Sequence, residues 1–425
     1  MKLTRWMAAL IAIVPLLQAC GGGGDDDGDG TVRLVNAANG YASLDLYSSD
    51  TSLSDDIALD SAGDYVTLGS GTYTFKLRRS GSSTVSSSGD RTVLDGTAHT
   101  LVAYNTNETL KTVFLTDNEV APTAGTAKLR VLNTSIEAGA LDVYVTTPTA
   151  TLADSSATVS GLGAERVSGY NEISEGTYRV RITGNGDKTD LRLDLPSVVL
   201  DDQQITTLVL TSTPGGVLVH GLTIDQKGDV TARKNPSARL RLVAGAEANG
   251  SAAATANGVT LSAGLTSPAV GAYTLVPAGA LTLSATLDGT ALTTSATTLA
   301  AGSDNTLLVT SNGATGTATL FADDNRPALT STNAKIRLIH GVGGLASPIT
   351  LTADFSAVAS DVARRTSSAP AAIAASTTAR LEATTPTVTG PLFLAEDVTL
   401  QAGKVYTLFM LGDAATPQGV LRRDR

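Results

Sequence analysis

The chain has a single cysteine, a single tryptophan, three histidines and six phenylalanines in 425 residues. Each scarcity closes a class of protein. One thiol, Cys20, leaves no intrachain disulfide, so any fold must be held by apolar burial rather than cross-links. No apolar run reaches the eighteen residues of a spanning helix, and six Phe with ten Tyr are too few for the aromatic girdles of a transmembrane barrel. His99, His220 and His340 have no Cys, His or Glu at metal-ligand spacing, so neither metal nor cofactor is expected. The patterns HExxH, GxSxG and GxxxxGK(S/T) are missing, which removes the starting residues of zinc peptidases, serine hydrolases and P-loop enzymes. Gly341 to Ala346 matches GxGxxA, but Ser347-Pro348 follows it as a turn and no helix opens there, so it reads as a permissive loop. No catalytic residue is expected. The formal net charge of −10 disfavours nucleic acid and other polyanions.

What is present starts at the N-terminus. Lys2 and Arg5 precede an apolar stretch, Trp6 to Leu17, and Leu17-Gln18-Ala19-Cys20 closes it. Twelve such residues reach roughly 18 Å as a helix, short of the ~30 Å hydrocarbon core, so the segment is a secretory leader and not a span. It resembles bacterial lipoprotein signals, with Leu17, Ala19 and Cys20 on the lipobox pattern and Gln18 in its variable place; an ordinary cleaved signal beside a free thiol is the alternative. The resemblance implies that residues 1–19 are removed and that Cys20 is acylated, palmitate included, anchoring the chain in the membrane. Gly21 rather than Asp after the cysteine points, by the same resemblance, to the outer membrane. Loss of Lys2 and Arg5 takes the charge from −10 to −12. Residues 20–30, rich in Gly and Asp, lack apolar side chains and should form a disordered tether. Asp25, Asp27, Asp29 and Gly30 fit four positions of a calcium loop, but Asn36 stands where its bidentate Glu should be.

Beyond the tether one pattern recurs four times. An arginine sits inside a short apolar strand at Arg33, Arg130, Arg241 and Arg337, at intervals of 97, 111 and 96 residues. A strand after a Gly turn follows at Gly71 to Leu77, Gly176 to Ile182 and, more plainly, Gly279 to Leu283, with no clear fourth copy. Short period-two strands separated by Gly, Asn, Asp and Ser turns predict an all-β chain of four tandem antiparallel β-sandwich modules. Their expected bounds are 31–123, 124–233, 234–329 and 330–425. Ser251 to Ala256 and Ala369 to Ala375, rich in alanine, fit a short helix as well as a strand.

The repeats resemble the bacterial domain of unknown function 4397 family, whose module opens with an Arg-bearing strand ending in His and continues into a Val-Asp-Val-Tyr strand. Arg33 with Leu44-Asp45-Leu46-Tyr47, and Arg130 with Leu141-Asp142-Val143-Tyr144, keep the family separation, and His340 keeps its strand-end histidine. Asn36, Asn133 and Ala244 stand there in the other copies, while Ala253 and Ile349 occupy the Asp offset in the third and fourth. The resemblance implies immunoglobulin-like modules at the cell surface and no reaction. Arg33 with Asp45, and Arg130 with Asp142, are expected as cross-strand charge pairs, a ligand site being the alternative. Asp55-Asp56, Asp201-Asp202 and Asp323-Asp324 are expected on solvated loops. The leading expectation is a surface spacer, adhesin or interaction protein with an envelope, host-surface or glycan partner. A glycan- or peptide-binding module, or an envelope glycan hydrolase with a loop-built carboxylate pair, are the alternatives.

Overall fold

The computed structural model describes residues 28–106 and 109–425. The lipobox residues Leu17, Gln18 and Ala19, with Cys20 and the tether as far as Asp27, lie outside the described residues. Among the described residues the helical content is one 3-10 turn, Glu247–Asn249, and no helix is long and apolar enough to cross a membrane.

The first module shows how alternation becomes architecture. Its strands are β1 (Asp29–Asn36), β2 (Ser43–Ser48), β3 (Thr51–Ala58), β4 (Ser61–Ala62), β5 (Val66–Gly69), β6 (Gly71–Arg79), β7 (Val85–Val93), β8 (Ala98–Thr106) and β9 (Thr109–Thr116). One sheet runs β4-β1-β8-β9, with β5 also on β1; the other runs β3-β2-β6-β7. They enclose Val32, Leu34, Leu44, Leu46, Phe75, Leu77 and Leu101. Every pairing is antiparallel except β1 with β8, which run parallel with Arg33 opposite Thr100. The same plan returns three times. Strands Thr126–Asn133, Ser237–Gly245 and Asn333–Gly343 open the other modules, parallel to Ile205–Ser212, Asp304–Asn312 and Val405–Asp413. Tandem all-β sandwiches are therefore the fold, with one parallel ladder in each module.

Several local expectations change. Asp29 and Gly30, assigned to the tether, begin β1, opposite Gly69 and Leu68 of β5; a backbone ladder orders them without an apolar side chain. Ser251–Ala256 and Ala371–Ala374 are both strands. In the first, Ala252, Ala254 and Ala256 are buried at every second position, the spacing of a sheet face and not of a helix. The missing fourth copy of the Gly-turn strand is Ser376–Thr384, which pairs with Ile349–Ala353 as β6 pairs with β2.

Each opening strand is buried on both faces, which explains its near-continuous apolar sequence. Val32 and Leu34 point into their own module, whereas Val35 joins Val102, Leu132, Val209, Leu222 and Ile224 in a cluster shared by modules one and two. Val243, Leu308, Ile339, Phe409 and Leu411 form the matching cluster between modules three and four. The modules are thus two face-to-face pairs. Turn 213–216 of the second module joins the pairs: Gly215 N–H donates to the Gly302 carbonyl at 3.2 Å, and Arg425 Nη1 donates to the Gly216 carbonyl at 3.1 Å. A Cβ on Gly215 would lie 2.6 Å from the Asp304 nitrogen, so the close approach needs glycine.

Asp45 and Asp142 do not pair with Arg33 and Arg130, because β2 and its counterpart Leu141–Thr146 belong to the opposite sheet from the arginine strands. The carboxylates brace turns instead. Asp45 accepts from Asp56 N–H at 2.8 Å and from Ser80 Oγ, and Asp142 accepts from Gly161 N–H at 2.7 Å and Gly186 N–H at 2.8 Å. Asp56 and Gly161 both have positive φ at a bulge, +56° and +61°. In the fourth module Thr350 Oγ1 accepts from Asp361 N–H at 3.1 Å, so Thr350 and not Ile349 holds this position. Replacing Asp142 by Ala is expected to lower stability by about 1–3 kcal/mol, since two turn N–H groups lose a charged acceptor that is itself buried. Urea melts check this; a loss below about 0.5 kcal/mol would remove the bracing role.

Candidate functional site

The four recurring arginines share one geometry. Arg33, Arg130, Arg241 and Arg337 each donate from Nε to the hydroxyl of a threonine on the parallel strand: Thr100 (3.0 Å), Thr207 (2.8 Å), Thr306 (2.9 Å) and Thr407 (2.9 Å). In three modules that hydroxyl donates onward to a carboxylate seventeen residues later: Asp117 (2.6 Å), Asp323 (2.5 Å) and Asp424 (2.5 Å). A tyrosine lies against the guanidinium in the first three modules, with Tyr65, Tyr170 and Tyr273 at 4.6, 4.7 and 4.4 Å. Tyr65 and Tyr273 also donate to Asp117 and Asp323 at 2.7 and 2.6 Å. In the fourth module Pro370 precedes the corresponding strand, where the others have tyrosine.

The clusters lie at the seams between paired modules. Arg337 of the fourth module donates to Asp323 of the third at 2.6 Å, and Arg241 of the third donates to Asp424 of the fourth. This reciprocal exchange is what a two-fold arrangement of like surfaces produces. Arg241 and Arg337 are each 3 % exposed. Burial alone would lower the Arg241 pKa, but Tyr273 and Asp424 outweigh it and hold the guanidinium charged. Burial, followed by Asp117, pushes the Tyr65 hydroxyl up to about 12.

The seam between modules one and two departs from this pattern. Gln226 donates its backbone N–H to Ile205 as Asp117 and Asp424 donate theirs to Ala98 and Val405, so it occupies the aspartate position. Its side chain turns to the linker, accepting from Glu119 N–H at 2.9 Å and donating to the Glu119 carbonyl at 2.8 Å. Arg33 reaches across to backbone oxygens of the second module instead, Asp225 at 3.0 Å and Gly228 at 2.5 Å.

Sequence reading found the arginines but missed Asp117, Asp323 and Asp424. Asp323, expected on a solvated loop, is 4 % exposed; its neighbour Asp324 pairs with Lys335 at 3.0 Å and Arg326 at 2.8 Å. The constant Thr-to-Asp spacing was the signal available.

His340 replaces an asparagine in kind. Asn36 Nδ2 donates to the Tyr41 carbonyl while its Oδ1 accepts from Ala38 N–H, and Asn133 does the same with Gly139 and Ser135. His340 donates from Nε2 to the Ser347 carbonyl at 3.2 Å and accepts at Nδ1 from Val342 N–H at 3.3 Å, which fixes the neutral tautomer. Burial depresses its pKa to about 4, and burial does the same to His220, whose Nδ1 accepts from Asn235 N–H at 3.1 Å. His99 stacks on Phe114 at 4.7 Å between centroids. Among the described residues no group of three or more His, Cys, Asp or Glu is placed to hold a metal ion.

Asp424→Ala, which strands a buried guanidinium, is expected to destabilise the third and fourth modules by about 3–5 kcal/mol in denaturant melts. A joint Arg241→Met, Asp424→Leu variant should recover most of that loss; a single substitution costing under 1 kcal/mol would show the seam to be energetically idle. For the histidines, a folded pKa near 4 against about 6.5 unfolded means that the unfolded chain binds more protons in this interval. Stability is intact above about 6.5 and is lost as pH falls toward 4, by up to about 3 kcal/mol for each of His220 and His340. His340→Asn, the residue used in modules one and two, should flatten part of that slope in melts at pH 7 and pH 4.5; an unchanged slope would contradict the assignment.

No curated protein matches the chain. Solved structures similar to it include a candidate cell adhesion protein from Bacteroides uniformis, 16% identical, covering 48% of this chain and 99% of that one at a TM-score of 0.21. A family CBM26 carbohydrate-binding module from Eubacterium rectale, solved with maltoheptaose, is 11% identical and covers 49% and 98% at 0.15. The TIE protein of Bacillus anthracis, also 11% identical, covers 87% and 65% at 0.14. Likenesses at these TM-scores carry no functional weight. The family described as "Domain of unknown function (DUF4397)" matches residues 30–144 and 238–343, just over half of the chain. Each stretch starts at one module's opening strand and runs into the next module, so each contains both arginines of one seam. With this coverage the chain belongs to the DUF4397 family.

Proposed function

We propose that the chain is a non-catalytic protein of the cell envelope, lipid-anchored at the outer membrane through Cys20, whose four modules act as a stiff spacer that presents interaction surfaces. The observation that carries the reading is the burial at the seams. Modules on flexible linkers would meet through polar, wet contacts, whereas here apolar clusters and buried ion pairs cover the seam faces. Such faces favour a fixed presentation of loops at a distance from the membrane. The leader Lys2 to Cys20 supports the address: two or more acyl chains, at about 0.8 kcal/mol per buried methylene, hold a protein on a bilayer. The partner in this reading is another envelope component, a host surface or a glycan.

Cys20→Ala is expected to move the protein from the outer-membrane fraction to the soluble periplasmic fraction. Unchanged fractionation defeats the anchor. Protease shaving of intact cells then separates a surface partner from a periplasmic one, with digestion expected for the surface role.

A further inference from the structure

In the fourth module, strands Ile349–Ala353 and Ser356–Val362 are joined by the two-residue turn Asp354-Phe355, with Ala353 opposite Ser356. Both turn residues have positive φ, +46° at Asp354 and +66° at Phe355. That conformation suits Asn-Gly or Asp-Gly and is an outlier for an aromatic residue. The third module has the suitable pair at the corresponding hairpin, Asn257 at +49° and Gly258 at +80°, between Ala256 and Val259. Phe355 therefore occupies a glycine position, and the residue is 80 % exposed. Neither packing nor backbone preference accounts for it, and residues held against local preference cluster at binding sites.

The ring is held in place. Asp354 N–H donates to the Arg380 carbonyl at 2.9 Å and Arg380 N–H donates to Asp354 Oδ1 at 2.8 Å, fastening the tip to the neighbouring strand. The Arg380 guanidinium covers one ring face at 4.7 Å, itself paired with Glu382 at 2.5 Å and lying 3.8 Å from Glu396. We infer that Phe355 is the stacking platform of a site for a neutral oligosaccharide. A flat ring takes the apolar C–H face of a sugar, while Arg380 donors beside Glu382 and Glu396 acceptors match the mixed hydroxyls at its rim. The charges of Asp354, Glu382 and Glu396 exceed that of Arg380, which repels sulfated or phosphorylated glycans and anionic bilayers. A protein partner would need an apolar surround that excludes water, and here Leu394, opposite Glu382, is one exposed apolar side chain among the charges of Arg380, Glu382 and Glu396.

The inference rests on the reading of the chain as an interaction protein. The full chain in detergent would be titrated with cellohexaose, maltohexaose and mannohexaose, followed by calorimetry and saturation-transfer NMR. At least one should bind, and Phe355→Gly should weaken it about tenfold or more while Phe355→Tyr retains it. Because glycine suits the turn, Phe355→Gly should melt at or up to roughly 4 °C above the unmodified chain. The proposal is overturned by binding of none of the three, by binding indifferent to Phe355→Gly, by capture of phosphatidylglycerol vesicles instead, or by a lowered melting temperature, which would make the ring a packing element. None of these outcomes alters Cys20-dependent fractionation, so the two readings fail separately.

Discussion

A guanidinium buried between two sheets costs several kcal/mol unless its donors meet fixed acceptors, and modules one, three and four open with one, Arg130 of the second being half-buried. The threonine on the parallel strand supplies the first acceptor from within the module. Further acceptors come from the partner module, through Asp323 and Asp424 for Arg337 and Arg241 and through backbone oxygens for Arg33. Alone, modules one, three and four would leave this arginine half satisfied, and every module would leave an apolar face wet. Pairing therefore covers what a single module leaves exposed.

The two seams meet that condition with unequal means. Between modules three and four charges are exchanged symmetrically, whereas Gln226 withdraws one carboxylate between modules one and two and ties down the linker at Glu119 instead. The modules also depart from one another away from the seams. Phe355 in place of a turn glycine is such a departure, and it lies on the sheet remote from the seam.

Period-two alternation made the strands legible, including two alanine-rich segments that were ambiguous only because alanine favours no sheet face by itself. The arginines marked the start of every module because a charge within an apolar strand stands out. Their partners did not, since Arg33 and Asp45 are close in sequence yet belong to opposite sheets, while the true threonine partners lie 65 to 77 residues away. The fixed offset also misled in the fourth module, where Thr350 rather than Ile349 performs the bracing. Phe355 gave no sign in sequence because the meaning of an aromatic at that position depends on its φ.

The parallel ladder has a consequence for the order in which the molecule assembles. An opening strand such as β1 waits for β8, some seventy positions downstream, before its own sheet can close, and contacts of that sequence separation slow folding. Meanwhile its edge is a template for any similar strand, and a tandem chain offers several. Four similar openings and four similar closings therefore offer the chain more parallel pairings than the four it adopts.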